Sequence, residues 1–139
     1  MQDYFVERPV YKDEVFRRRY RMSPYVFDCI LNDVITHDNY FQQRPNARGL
    51  LGFTPHQKMT CALRMLAYGA SADQCDEYLR MGCSTSIECL KRFCLAIEAV
   101  YIREYLRAPR RDDLQQLLKK TRRWGFPGII GSINCMHWQ

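Results

Sequence analysis

Residues 54–101 read TPHQKMTCALRMLAYGASADQCDEYLRMGCSTSIECLKRFCLAIEAVY, and three helix-start signatures stand inside this run. Thr54-Pro55-His56-Gln57 is a capping box with proline at the first helical position, followed by Met59, Ala62, Leu63 and Leu66 at helical spacing up to Gly69. Glycine there predicts the helix end. Ser71-Ala72-Asp73-Gln74 opens a second, short helix through Tyr78 and Leu79 to Gly82, and Thr85-Ser86-Ile87-Glu88 opens a third. On the third, Ile87, Leu90, Phe93, Cys94, Ile97 and Tyr101 form the expected inner stripe. Helix, tight turn, short helix, turn and longer helix is the spacing of a helix-turn-helix unit.

The flanks extend this helical pattern. Ser23-Pro24 predicts a capped helix over 24–36, with Val26, Phe27, Ile30, Leu31 and Val34 on one side. Residues 12–21 read as another helix, with Val15, Phe16 and Tyr20 apolar and arginines at 17, 18, 19 and 21. Residues 37–52 carry Pro, Asn and Gly without a period and read as a loop. Leu114, Leu117 and Leu118 predict a helix over 112–122, which Trp124-Gly125-Phe126-Pro127-Gly128 breaks. Residues 129–136 are apolar and β-branched and read as one buried strand. The expected architecture is mostly α: a helical bundle containing a helix-turn-helix, then one terminal strand. The divisions are 1–22 as a basic amino-terminal helix, 23–108 as the helix-turn-helix region, and 109–139 as a helix and strand.

At 139 residues the chain suits one ordinary domain, or one domain with a tail. With 47% apolar and 26% charged residues it has a globular composition. No apolar run is long enough for a bilayer span and the start lacks a signal-peptide pattern, so neither a membrane nor secretion is expected. The seven cysteines form no Cys-x-x-Cys pair and read as small buried hydrophobes. Cys135 and His137 offer two of the roughly four ligands a structural zinc needs. Ser132 has no nucleophile elbow, and no small-molecule substrate is indicated.

The net charge of +6 favours an anionic partner. Lys and Arg outnumber Asp and Glu by 8 to 7 up to residue 50 and by 13 to 8 beyond it. If the third helix of the opening run packs through Ile87, Leu90, Cys94 and Ile97, then Ser84, Thr85, Glu88, Lys91 and Arg92 face outward. Ser84, Thr85 and Ser86 at a helix start suit phosphate contact, and Lys91 or Arg92 one turn on could reach a base edge. A bland reading stands beside this one, because every surface helix has a polar face and Glu88 opposes phosphate. Arg17, Arg18 and Arg19 could follow a phosphate backbone or act in nuclear import, or they could be a solvated side balanced by Asp13 and Glu14. Lys119-Lys120-Thr121-Arg122-Arg123 suits the carbonyl end of its helix.

Longer segments carry a resemblance. These are Phe16-Arg17-Arg18-Arg19-Tyr20-Arg21-Met22-Ser23, Tyr40-Phe41, Ala62 through Gly69, Cys83 through Cys94, Glu104 through Arg107, and Gly125-Phe126-Pro127-Gly128 through Trp138. In this order they resemble plant Harbinger-type transposases, from about residue 14 onward. The resemblance implies an amino-terminal helical region with a helix-turn-helix, followed by an RNase H-like DDE domain that uses three acids and divalent metal such as Mg²⁺. The closing segment Gly131-Ser132-Ile133-Asn134-Cys135-Met136-His137-Trp138 is similar to the first catalytic strand of that domain, with Asn134 where the family has aspartate. A neutral amide lacks the charge that offsets paired metal ions, and the remaining acids do not occur in the sequence. The resemblance therefore implies a DNA-binding remnant that is not an enzyme and needs no cofactor. Double-stranded DNA and a Myb-like protein are its implied partners, and the nucleus, or otherwise the cytoplasm, its location. A protein-interaction module or a translated transposon fragment without function are the alternatives.

Overall fold

The computed structural model describes Phe5 and residues 11–131. Six α-helices are found among them: α1 (Asp13–Tyr20), α2 (Pro24–His37), α3 (Pro55–Tyr68), α4 (Ala72–Leu79), α5 (Cys83–Tyr105) and α6 (Arg111–Arg123). A single 3₁₀ turn, Asn39–Phe41, follows α2. The chain divides into two compact units, Met1–Arg103 and Glu104–Gln139. None of the described helices is long and apolar enough to cross a membrane.

The helix starts follow from the caps. Ser23 Oγ accepts the Val26 amide at 3.3 Å, with Pro24 at the first helical position of α2. At α3 the reciprocal box forms: Thr54 Oγ1 accepts from the Gln57 amide at 3.2 Å and Gln57 Oε1 from the Thr54 amide at 2.9 Å. Ser71 Oγ accepts the Gln74 amide at 3.3 Å and starts α4. Gly69, at φ +62, ends α3 in the left-handed region that glycine enters without steric cost.

Two expected boundaries shift. The helix expected to open with Thr85-Ser86-Ile87-Glu88 begins earlier, at Cys83, and the Ser86 amide bonds the Gly82 carbonyl. Thr85 and Ser86 thus lie within its first turn. The end of α4 falls on Arg80 at φ +52, not on Gly82, with the Arg80 amide bonded to Asp76 O at 2.8 Å.

In the first unit, Phe16 and Tyr20 of α1, Phe27, Leu31 and Val34 of α2, and Met59, Ala62 and Leu63 of α3 share one core with Phe41, Phe93 and Ala96. The rings of Phe16, Tyr20 and Phe27 meet with centroids 4.4 to 5.6 Å apart. Residues 58–63 of α3 are all buried, because α1, α2 and α4 pack around that helix. Removing the fully buried Phe27 ring would cost roughly 3–5 kcal/mol by the usual scale for large-to-small core changes. Through Phe16 and Tyr20, α1 is part of this core.

Of the stripe expected on α5, Phe93 is buried and Leu90 and Ile97 pack half-buried against the core, while Ile87 and Cys94 are displaced from it. Ser86, Cys89, Phe93 and Ala96 are buried, whereas Ile87 is 52% exposed and Cys94 lies on the surface. Ser86 Oγ loses nothing by burial because it donates to Met81 O at 3.1 Å. Cys61, Cys75 and Cys89 form a second buried cluster with Leu79 and Met81, so half of the six described cysteines are the small core residues expected. Burial pushes the Cys61 thiol up to about 12 and the Cys89 thiol up as well, which keeps both protonated.

The expected loop over 37–52 holds the 3₁₀ turn, whose Phe41 is fully buried, and a tight reversal between Arg44 and Gly52. Lys58 spans from α3 into this segment, its Nζ donating to Tyr40 O at 2.7 Å and Gln42 O at 3.1 Å. Burial lowers the Lys58 pKa, and the two carbonyls replace the water it gives up.

In the second unit, Asp113 starts α6 by accepting the Arg110 amide at 2.7 Å and both Arg107 nitrogens at 2.6 and 3.1 Å. The Arg107 guanidinium, then the Arg110 amide, hold the Asp113 carboxyl down to about 2. Lys120 lies over the Trp124 ring at 4.9 Å, in the basic last turn expected there. Ile129 to Gly131 have no regular structure, and Ile129 and Ile130 are exposed. The strand expected over 129–136 is thus absent from its described part. Residues 132–139, with Ile133, Asn134, Cys135, His137 and Trp138, lie outside the described residues.

Candidate nucleic-acid interface

The expected interface residues fall on two separate surfaces of the first unit. On α5, Ser84 and Lys91 are exposed, Thr85 is half-buried and Ser86 is buried, which withdraws the Ser86 hydroxyl from any surface. Arg92 is engaged. Its Nη1 pairs with Asp38 Oδ2 at 3.1 Å, its Nε with Glu88 Oε1 at 2.6 Å, and its guanidinium lies 4.7 Å from the Tyr40 ring centroid. Asp38 in turn accepts the Tyr40 amide at 2.8 Å and caps the 3₁₀ turn. Partial burial works to raise the Asp38 pKa, but the Tyr40 amide and Arg92 outweigh it and hold the carboxyl below its ordinary value. Burial, with the Cys89 contact at 3.4 Å, pushes the Tyr40 hydroxyl well above its ordinary pKa. Arg92 therefore clamps α5 to the segment after α2.

His37, Asp38, Glu88, Lys91 and Arg92 line one depression of about 340 Å³. The Asp38 and Glu88 carboxylates there face Lys91 and Arg92, and these four charges cancel. A phosphate arriving there meets no net attraction.

On α1 the balance differs. Arg17 and Arg18 are exposed, and among the described residues neither has a carboxylate within ion-pair distance. Arg19 is half-buried with its guanidinium over the Tyr11 ring at 5.4 Å. The helix ends on Arg21 at φ +59, whose guanidinium lies over Tyr68 at 5.8 Å. The Tyr68 hydroxyl donates to Arg18 O at 3.3 Å and ties the end of α3 to α1. Beyond it, Arg64 lies over the Tyr78 ring at 4.4 Å. Arg64, Tyr68, Gln74, Glu77 and Tyr78 line a groove of about 310 Å³ between α3 and α4. A small hollow lined by Arg19, Tyr20, Arg64 and Tyr68 joins this groove to α1. Arg21 belonged to the basic run 17–21 expected to follow a phosphate backbone, whereas Arg64, Tyr68 and Tyr78 were not among the expected site residues. The i, i+4 spacing of Arg64 and Tyr68, outside the α3 stripe, was the one sequence signal for them.

Among the described residues no group of three or more His, Cys, Asp or Glu is placed to hold a metal ion. Residues 103–139 match a family model described as Plant transposon protein, so the chain is related to transposon proteins. A model described as a domain of unknown function matches residues 1–35. Each match covers about a quarter of the chain, and neither reaches residues 36–102. The transposon match begins within one residue of the second compact unit. No curated protein and no solved structure matches the chain.

Proposed function

We propose that the chain is a DNA-binding remnant of a Harbinger-type transposase, without nuclease activity, acting in the nucleus. The observation that carries the DNA-binding part is the pair of exposed α1 arginines, Arg17 and Arg18, without carboxylate partners among the described residues. In this reading α3, α4 and α5, with their short turns, serve as the helix-turn-helix, and the arginines follow the phosphates of double-stranded DNA. The relation to transposon proteins supports the same assignment.

The nuclease-free part rests on Asn134. The amide fits poorly as an anchor for paired magnesium ions, since it supplies an oxygen without charge. Metal-dependent cleavage of DNA by this 139-residue chain would overturn that part, and Asn134→Asp is expected to recover none.

A polarisation titration with a duplex oligonucleotide tests the binding. Affinity should fall steeply with salt, and Arg17→Gln with Arg18→Gln should lower the log–log salt slope by about 1.8, at about 0.9 per duplex phosphate contact. An absence of binding at low salt would remove the proposal. A Myb-like protein partner is a second reading, favoured by Leu50 and Leu51, which are 63% and 71% exposed at one loop tip.

A further inference from the structure

The groove between α3 and α4 has a chemistry that a duplex backbone does not use. Tyr78 is 68% exposed and Tyr68 49% exposed, and both rings lie beside guanidinium groups at the rim of one concavity. A duplex presents phosphates and the edges of paired bases to such a surface, and both aromatic faces would stay wet against it. An unpaired strand presents the faces of its bases. Those faces stack on tyrosine rings and on guanidinium planes, while the backbone runs along neighbouring positive charge.

From this juxtaposition we infer that the α3–α4 groove binds single-stranded DNA. The bases stack on Tyr78 and on the Arg64 guanidinium beside it, and the phosphates run toward Arg21 and the α1 arginines. Gln74, in the groove lining, has donor and acceptor atoms for a base edge. The inference rests on the proposal that the chain binds DNA, and adds to the duplex read by the α1 arginines a second form, the unpaired strand, held at a second surface.

Two further features bear on it. Arg21 holds a left-handed backbone conformation that a non-glycine residue enters at some cost, and its side chain is thereby brought over Tyr68. Glu77 is the opposing charge, since it lines the same groove; Asp73 and Asp76 of α4 are exposed but do not line it. Arg19, Arg21 and Arg64 around the groove and its joining hollow outnumber Glu77. The excess remains positive.

The experiment compares a fluorescent 20-nucleotide single strand of mixed sequence with the matching duplex, using the full chain at low salt. The single strand should bind more tightly than the duplex. Tyr78→Ala should weaken single-strand binding by about 5- to 150-fold, the range for loss of one stacked base, and leave duplex binding unchanged. Arg64→Lys keeps the charge and removes the planar group. It should weaken the single strand with the salt slope unaltered. Glu77→Gln should tighten single-strand binding, an effect with the opposite sign that misfolding would not produce. Duplex binding with no single-strand preference, or unchanged single-strand affinity in Tyr78→Ala, would overturn the inference and leave the DNA-binding proposal standing. Failure of both oligonucleotides to bind at low salt would overturn both.

Discussion

Two surfaces of the first unit have cations that the sequence alone cannot rank, and the structure separates them. Arg92 on α5 is surrounded by Asp38, Glu88 and the Tyr40 ring, and the depression it lines is electrically balanced. Arg17 and Arg18 on α1 have no carboxylate partner among the described residues, and Arg21 and Arg64 lie against tyrosine rings. A guanidinium held by two carboxylates has spent most of its field within the protein. One stacked on a neutral ring keeps its charge for a ligand. The number of basic residues on a helix is thus a poorer guide to an anion site than the partners each one has.

The largest effect expected from this contrast is a double dissociation. Arg92→Ala should lower the urea midpoint, because it leaves Asp38 without its cation and frees α5 from the segment after α2, while DNA affinity stays close to that of the unmodified chain. Arg17→Gln with Arg18→Gln should do the reverse, weakening binding with little change in the midpoint. Equal losses of affinity from both variants would return α5 to the interface and erase the distinction. A smaller effect isolates one residue. Arg21→Gly removes a left-handed non-glycine residue and a cation together, so stability should rise by up to about 1 kcal/mol while affinity falls. A fall in both would mean that the Arg21 contact with Tyr68 holds the fold more than it serves a ligand.

The same contrast explains what was legible beforehand. Helix positions follow from short-range chemistry, and Ser23, Thr54, Ser71 and Gly69 marked their boundaries because each cap is closed by an amide or a φ value within a few residues. On the inner face of α5, Leu90, Phe93 and Ile97 were legible, whereas Ile87 was expected inside because it is more apolar than Ser86. Ser86 can be buried because the Met81 carbonyl takes its hydroxyl, a partner five residues away that apolarity alone does not reveal. The pairing of Arg92 with Asp38 spans 54 positions, and that of Tyr68 with Arg18 spans 50. No local pattern encodes either. The α1 arginines were visible as a cluster, yet the absence of ion-pair partners for Arg17 and Arg18 among the described residues emerges only from the fold.

Acid should probe the two regions in sequence, and this gives the smallest expected effect. His56, on α3, packs against Phe5 at 4.6 Å and lies parallel to Phe27 at 6.2 Å between centroids, beneath the α1 surface. Burial lowers its pKa below 6.5, and nearby Asp28 offsets this only in part. The unfolded chain therefore takes up a proton at His56 before the folded chain does. The stability of the neutral, buried ring is fully present above pH 6.5 and is lost as pH falls from there through the folded pKa. Asp38, whose folded pKa lies below 3.8, contributes stability above that value and loses it only as pH falls further. A urea midpoint followed from pH 7.5 to 4.5 should thus decline mainly through His56. His56→Phe should flatten that decline, whereas Asp38→Asn should lower the midpoint throughout and leave the slope in place. A slope that survives His56→Phe would show that the packing under the arginine surface is not the acid-sensitive part of the fold. The α5 clamp would then be the next element to test.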